Sequence, residues 1–323
     1  MLKKLFKRIN TCLKEEIGPI FFKLDPRFSV MVGLTYNCQC DCVHCGMKMY
    51  KRKSGKELSK EEILKIIDKL SFFTTKNIYF FGGEPLLRND IFELIEYAHK
   101  KLIRTYLDTN GYLLTKEVVK KLKKAGLDLI QVSIDSPYSI NHNILRKKEN
   151  SFERAVAGIK ECLFEGIFCS ISTYATKENI NNGDLKKIIL LGKQLGVNRI
   201  RILSPIMAGR WLKSEGIKLS DEDKNSLKKI GKLGPIYLEE SLCQTKIKRL
   251  FYVSPYGDVQ PCCYVPIVFG NVRDEQLKSI LKRMWKHRMF KTKTDGCPMN
   301  NDNFRKEYFS DISLSTESSI KPK

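Results

Sequence analysis

The stretch "SVMVGLTYNCQCDCVHCGM" (residues 29–47) runs from a strand-like apolar segment straight into four cysteines within eight positions. Cys38, Cys42 and Cys45 fall at a C-x3-C-x2-C spacing, with Cys40 between the first two. A chain of 323 residues can bury an ordinary core, so it has no need of cysteine staples. Position matters as much as spacing. A loop at the carboxyl end of a first strand lies on the face where parallel α/β barrels build their active sites. Such a loop can wrap three thiolates around one group, and three protein ligands leave a metal position open for substrate or cofactor. The spacing favours an iron–sulfur cluster over a zinc knot completed by Cys40 or His44. Zinc ligands usually come as two C-x2-C pairs, and only one pair is present.

Outward from this loop the chain alternates strands and helices. Short β-rich runs recur at 29–36, 77–83, 103–109, 129–135, 168–174 and 199–205. Ser59 and Glu62 form a capping box ahead of Ile63, Ile66, Ile67 and Leu70, which share one helical face. Further helices are predicted over 89–101, 115–125, 151–165 and 184–195, and Gly126, Gly166 and Gly196 suit the left-handed residue that closes a helix. This alternation predicts a parallel sheet, and its six units fit a partial (β/α)6 barrel. A doubly wound nucleotide fold is disfavoured because no G-x-G-x-x-G follows the first strand. After Trp211 the pattern changes to a helix at 220–233, the hairpin signal "RLFYVSPYGDVQPC" (249–262), a basic helix at about 275–290 and "DGCPMNNDNF" (295–304). The expected organisation is an amphipathic segment at 1–28, a barrel core at 29–212, a small α+β cysteine-bearing extension at 213–309 and a mobile tail at 310–323.

Composition narrows the function. Hydrophobic content of 42% and charged content of 29% are those of a soluble globular protein. No apolar run approaches the roughly 18 residues that span a bilayer. The N-terminus has no signal-peptide core or cleavage site, so the expected compartment is cytoplasmic. In a reducing compartment, clustered cysteines are read as metal ligands or catalytic groups, not disulfides. Cys162 and Cys169, inside apolar segments, read as ordinary buried residues. The net charge of +22 invites a nucleic-acid reading, but the lysines are spread along the chain and a generally basic surface is preferred. In the N-terminal segment Leu2, Leu5, Ile9 and Leu13 lie opposite Lys3, Lys4, Lys7 and Arg8, and packing against the barrel flank is preferred to peripheral membrane contact. That segment is too short for the peptide-leader recognition domain often fused to peptide-modifying enzymes. "PIMAGRW" (205–211) would close the barrel mouth, with Arg210 a candidate for an anionic substrate or for stacking on Trp211.

Four motifs at consecutive strand ends carry a resemblance: "CQCDCVHC" after the first strand, "FGGEP" (81–85), "TNG" (109–111) and "VSIDS" (132–136). As a set, over about 29–210, they resemble the radical S-adenosylmethionine (SAM) superfamily. The resemblance implies that Cys38, Cys42 and Cys45 ligate three irons of a [4Fe–4S] cluster, with SAM chelating the fourth. It implies that Gly82 and Gly83 let the backbone approach the methionine moiety and that Glu84 meets its ammonium. His44 would lie near the adenine and Ser133 near the amino-acid or ribose portion, with Thr109 and Asp135 as further candidates, and Cys40 would be spare. A reduced low-potential cluster would cleave SAM, and the 5′-deoxyadenosyl radical would abstract a hydrogen atom from substrate. An electron donor such as flavodoxin or ferredoxin is implied.

The second cysteine group gives C-x13-G-x4-C from Cys243 through Gly257 to Cys262, which resembles the start of the SPASM/Twitch auxiliary-cluster extension. The further closely spaced cysteines of that extension are missing, leaving Cys297. The departure points to one auxiliary iron–sulfur cluster held by Cys243, Cys262 and Cys297. Cys263 fits the same cluster poorly, since neighbours on a strand point to opposite faces. The chain thus reads as a radical SAM oxidoreductase or modifying enzyme. Its substrate would be a peptide, a protein or a small molecule. The alternative is a non-catalytic zinc- or iron–sulfur-binding protein associated with RNA.

Overall fold

The computed structural model describes residues 28–52, 54–72, 75–239, 243–291 and 296–309. The N-terminal amphipathic segment up to residue 27, with Cys12, and the tail from residue 310 lie outside the described residues. Six strands fall where the alternation predicts them: β1 (Ser29–Gly33), β2 (Asn77–Phe81), β3 (Arg104–Thr109), β4 (Leu129–Ser133), β5 (Phe168–Tyr174) and β6 (Arg199–Leu203). Each pairs in parallel with the next. Between them lie α1 (Lys60–Phe72), α2 (Ile91–Lys100), α3 (Lys116–Ala125), α4 (Ser139–Arg146), α5 (Ser151–Phe164), α6 (Lys177–Asn181) and α7 (Asp184–Leu195).

The strands alternate as their sequence requires. Val30, Val32, Ile78, Phe80, Ile130 and Val132 are buried beneath the helices, while the intervening positions of β1 and β2 are only half-buried. Each such fully buried side chain stabilises the fold by about 1.5–3 kcal/mol. The capping box of α1 is present, with Ser59 N–H donating to Glu62 Oε2 at 2.8 Å and Glu62 N–H to Ser59 Oγ at 3.3 Å. Gly126, Gly166 and Gly196 take left-handed φ values of 84°, 67° and 79°. Cys162 and Cys169 are fully buried in the main core.

The sheet does not stop at six strands. After α8 (Asp221–Ile230), β7 (Ile236–Glu239) adds in parallel to β6. The predicted hairpin, β8 (Leu250–Val253) and β9 (Asp258–Gln260), lays β8 in parallel along the other edge of β1, and β10 (Gly270–Asn271) follows β9. One ten-stranded sheet of order β10-β9-β8-β1-β2-β3-β4-β5-β6-β7 results. The partial barrel and the cysteine-bearing extension therefore share a sheet. Helices α9 (Leu277–Lys286) and α10 (Asp302–Phe309) complete the extension. Among the described residues no helix is long and apolar enough to cross a membrane.

Candidate active site

The loop after β1 is fixed from three sides. Gly83 N–H donates to Thr35 O at 2.7 Å and Glu84 N–H to Asn37 O at 2.8 Å, which fastens the loop to the end of β2. A Cβ on Gly82 would stand 2.3 Å from Thr35 O, and one on Gly83 2.3 Å from Asn37 O. Gly82 also has φ +146°, a conformation that favours glycine. The two glycines thus make room for the chain's own cysteine loop. From the second side, Asp41 N–H donates to Arg146 O at 3.1 Å and Val43 N–H to Leu145 O at 3.0 Å, tying the loop to the end of α4. From the third, Arg210 donates to Asp41 O at 2.8 Å and Cys42 O at 2.6 Å, and its own N–H reaches Cys45 O at 3.0 Å. Arg210 clamps the loop; Trp211 packs instead on His44 and Tyr174, at 5.6 and 5.2 Å between ring centres.

Within this frame the Cys40 thiol lies between Cys38 and Cys42, within reach of either sulfur for its single S–H. Cys38 Sγ also accepts from Cys40 N–H at 3.4 Å and from Asn110 Nδ2 at 3.6 Å. The Cys40 thiol holds the Cys38 thiol below its ordinary range, against burial. Cys42 is brought down to about 5 by the Cys40 thiol, opposed by burial and helped by Arg146, whose Nη1 is 3.6 Å away. Burial pushes the Cys45 thiol up, and its sulfur accepts from Lys48 N–H at 3.3 Å.

The other strand ends converge on the same loop. Glu84 is fully buried, accepting from Thr109 Oγ1 at 2.8 Å, Asn110 N–H at 2.9 Å and Leu86 N–H at 3.1 Å. Burial raises its carboxyl to about 7 despite these donors. Asp135, just beyond β4, lies 3.2 Å from His44 Nε2 and 2.6 Å from Arg146 Nη2. Burial pushes its carboxyl up, but Arg146 and His44 outweigh that and hold it below the usual carboxylate range. Ser133 is the half-buried last residue of an otherwise buried β4, in register with Ser172. Farther back along β4 Gln131 donates to Asp108, and Arg201 donates to Gln131 Oε1 at 3.3 Å.

Three residues of this site were not singled out from sequence: Asn110, Arg146 and His142, whose Nδ1 accepts from Asp135 N–H at 3.2 Å. The available signal was "HNILR" (142–146), which sets a histidine and an arginine one helical turn apart beside the "VSIDS" strand.

In the extension, Cys243 and Cys297 both lie near Cys262, and burial followed by the charges of Cys297 and Cys243 pushes the Cys262 thiol up. Thr245 Oγ1 donates to Pro261 O at 3.1 Å, which joins the turn after Cys243 to the segment carrying Cys262. Asn300 binds Pro205 O and Met207 N–H at 2.9 Å each, which docks the Cys297 turn on the barrel mouth. Cys263 faces the opposite way, into a buried group with Tyr36, Met47, Tyr252 and Tyr256 that Cys45 borders.

Residues 32–191 match the Radical SAM superfamily model, and residues 243–310 match the SPASM iron–sulfur cluster-binding domain. An AdoMet-dependent heme synthase of Methanosarcina barkeri is 28% identical over 280 residues, covering 76% of this chain and 80% of the relative. An Fe-coproporphyrin III synthase of the same organism is 34% identical over 202 residues, covering 62% of this chain and 49% of the relative. Among solved structures, anSMEcpe with bound AdoMet superposes with a TM-score of 0.64 at 17% identity, covering 91% of this chain and 93% of that one. Streptococcus suis SuiB bound to S-adenosylmethionine gives 0.67 at 14% identity, covering 85% and 70%. These two likenesses concern the fold. The comparisons give the non-catalytic RNA-associated reading no support. The chain is an enzyme with iron–sulfur and S-adenosylmethionine cofactors, and it belongs to the radical SAM superfamily, with a SPASM domain behind its barrel.

Proposed function

We propose that the chain reductively cleaves SAM at a [4Fe–4S] cluster held by Cys38, Cys42 and Cys45 and abstracts a hydrogen atom from an iron-porphyrin-type small molecule. The observation that carries the reaction is the loop itself: three thiols fastened at the carboxyl ends of β1 and β2 and beside α4. The donor set fits, because three thiols, the ligand type of such clusters, share one fastened loop with Arg146 Nη1 3.6 Å from the Cys42 sulfur. When bound, the cluster supplies one electron at low potential, which breaks the sulfonium bond of SAM. The protein's part is positioning. Arg146, whose Nη1 is 3.6 Å from the Cys42 sulfur, would take the carboxylate of SAM while still facing Asp135. His44 would flank the adenine with Trp211 and Tyr174. Gly82, Gly83, Glu84, Thr109 and Ser133 would shape the strand ends beneath it, and an ammonium reaching Glu84 would share oxygens that already accept three hydrogen bonds. In the extension, Cys243, Cys262 and Cys297 would hold one auxiliary cluster.

The substrate class rests on the relatives named heme synthase and Fe-coproporphyrin III synthase. Arg201, half-buried beside Asp108 and the buried Gln131, gives this part of the sheet a cation suited to a substrate carboxylate. The test is anaerobic incubation of reconstituted enzyme with dithionite, SAM and Fe-coproporphyrin III. Release of 5′-deoxyadenosine stimulated by the porphyrin, with a new porphyrin mass, is expected; Cys42→Ala abolishes both. Porphyrin recovered unchanged, with release stimulated by a peptide instead, would overturn the substrate class. Cys243→Ala should lose roughly half the iron while keeping some SAM cleavage, and unchanged iron content would remove the auxiliary cluster.

A further inference from the structure

Helix α4 is inside out. A surface helix ordinarily buries its apolar stripe and turns its polar face to water. Here His142 and Arg146 are 0% and 8% exposed, while Ile140 and Ile144 are 72% and 63% exposed. The inner face is explained by the site, since Arg146 meets Cys42 and Asp135 and His142 accepts from the Asp135 backbone. Nothing inside the described molecule explains the outer one. Ile140 and Ile144 lie one turn apart, with Tyr138 and Val43 at 46% and 39% exposure. Val43 lies between Cys42 and Cys45 in sequence and is hydrogen-bonded to the last turn of α4, so the apolar face runs onto the cysteine loop. Singly exposed apolar residues need no explanation, but a contiguous patch with a polar rim marks a contact surface.

The rim is basic. Lys48, Lys147 and Arg210 share one carboxylate, Asp41, at 2.6, 3.9 and 2.5 Å. Lys187, paired with Asp184, donates to the Tyr138 hydroxyl at 2.7 Å. The chain as a whole carries +22. We infer that this face docks an acidic, low-potential one-electron carrier protein and brings its redox centre against the cysteine loop. The inference rests on the proposed reading of Cys38, Cys42 and Cys45 as cluster ligands. One electron leaves the reduced carrier and enters the cluster; the carrier is oxidised by one electron, and no bond or proton changes hands. Opposite charge steers the encounter and a small apolar centre fixes it, as suits a complex that must also come apart. The occupant must lie close to the loop, and Val43 on this face adjoins Cys42 in sequence.

The probe is purified acidic flavodoxin, used with the full reconstituted chain. Its Kd is measured by calorimetry for the native chain, an Ile140→Asp/Ile144→Asp variant and Lys147→Glu, and 5′-deoxyadenosine release is driven by reduced flavodoxin or by dithionite. The double variant should weaken binding about tenfold or more. Lys147→Glu should weaken it less, and native binding should fall between about 20 and about 200 mM salt. Flavodoxin-driven release should drop in parallel, with dithionite-driven release unchanged. Equal Kd values for the native chain and the double variant overturn the inference. So does a double variant that changes elution volume or melting temperature without changing flavodoxin binding, since a second copy or the N-terminal segment would then cover the face. If dithionite drives no release even in the native chain, the cluster reading fails, while the calorimetric comparison still decides the docking face.

Discussion

Arg146 and His142 show how much of the site depends on two buried side chains from one short helix. Arg146 contributes a positive charge beside Asp135, and removing it would leave a buried carboxylate facing only His44. His142 is fully buried, and burial, then Arg146, lowers its imidazole from 6.5 to about 4. A histidine held neutral in this way stabilises the fold fully above its unfolded value near 6.5. That contribution is lost as pH falls towards about 4, a total of about 3 kcal/mol. His142→Gln keeps an acceptor for Asp135 N–H and removes the titration. Its urea midpoint should sit slightly below that of the native chain at about pH 8 and decline less steeply towards about pH 5.5. Parallel declines would remove His142 as the source of acid sensitivity. At this scale the cysteines were legible because ligand chemistry is written in residue type and spacing. Arg146 was not, since it meets Cys42 across 104 positions of sequence, a juxtaposition that only the fold creates.

Elements were legible where local and tertiary preferences coincide. The six parallel strands and α1, α2, α3, α5 and α7 each turn one apolar face inward, with a cap or closing glycine at α1, α3, α5 and α7, and they appear where the pattern places them. Helix α4 was missed because its burial is inverted, so the rule that apolar residues face inward reads it wrongly. Strand β7, four residues long, was missed because so short a run carries little pattern and is defined by its pairing with β6. Where the rule does hold, it predicts a measurable cost. Glu62 closes the capping box of α1 and also receives Arg273 from the extension, at 2.6 Å to Oε1 and 2.8 Å to Oε2. Arg273 lowers its carboxyl to about 2. Glu62→Ala removes both contacts and should cost about 1–2 kcal/mol, most of it from the cap, because the ion pair is partly exposed. Arg273→Ala leaves the cap intact and should cost less, by chemical denaturation; equal costs would assign the effect to the ion pair.

The whole molecule is governed by where the sheet ends. Strand β1 carries the cysteine loop and would be the barrel's edge if the extension stood apart, but β8 pairs along it over four residues. Phe251 of β8 is fully buried, with its ring centre 5.9 Å from that of Phe28, and Asn300 reaches back to the loop after β6. Extension and barrel thus bury the same core, and one cannot unfold without exposing an edge and apolar surface of the other. The chain carries two tryptophans, Trp211 at the barrel mouth and Trp285 on α9. Trp285 packs edge-on to Phe28, with ring centres 6.5 Å apart. Trp211→Phe and Trp285→Phe variants therefore each leave one fluorophore, one reporting the barrel and the other the extension. Both should give the same denaturation midpoint, coincident with loss of helical circular dichroism. Adding Phe251→Ala should cost about 3–5 kcal/mol and move both midpoints down by the same amount. If the Trp285 transition moves and the Trp211 transition stays, the extension folds as a separate unit and the shared sheet does not couple the two cysteine sites.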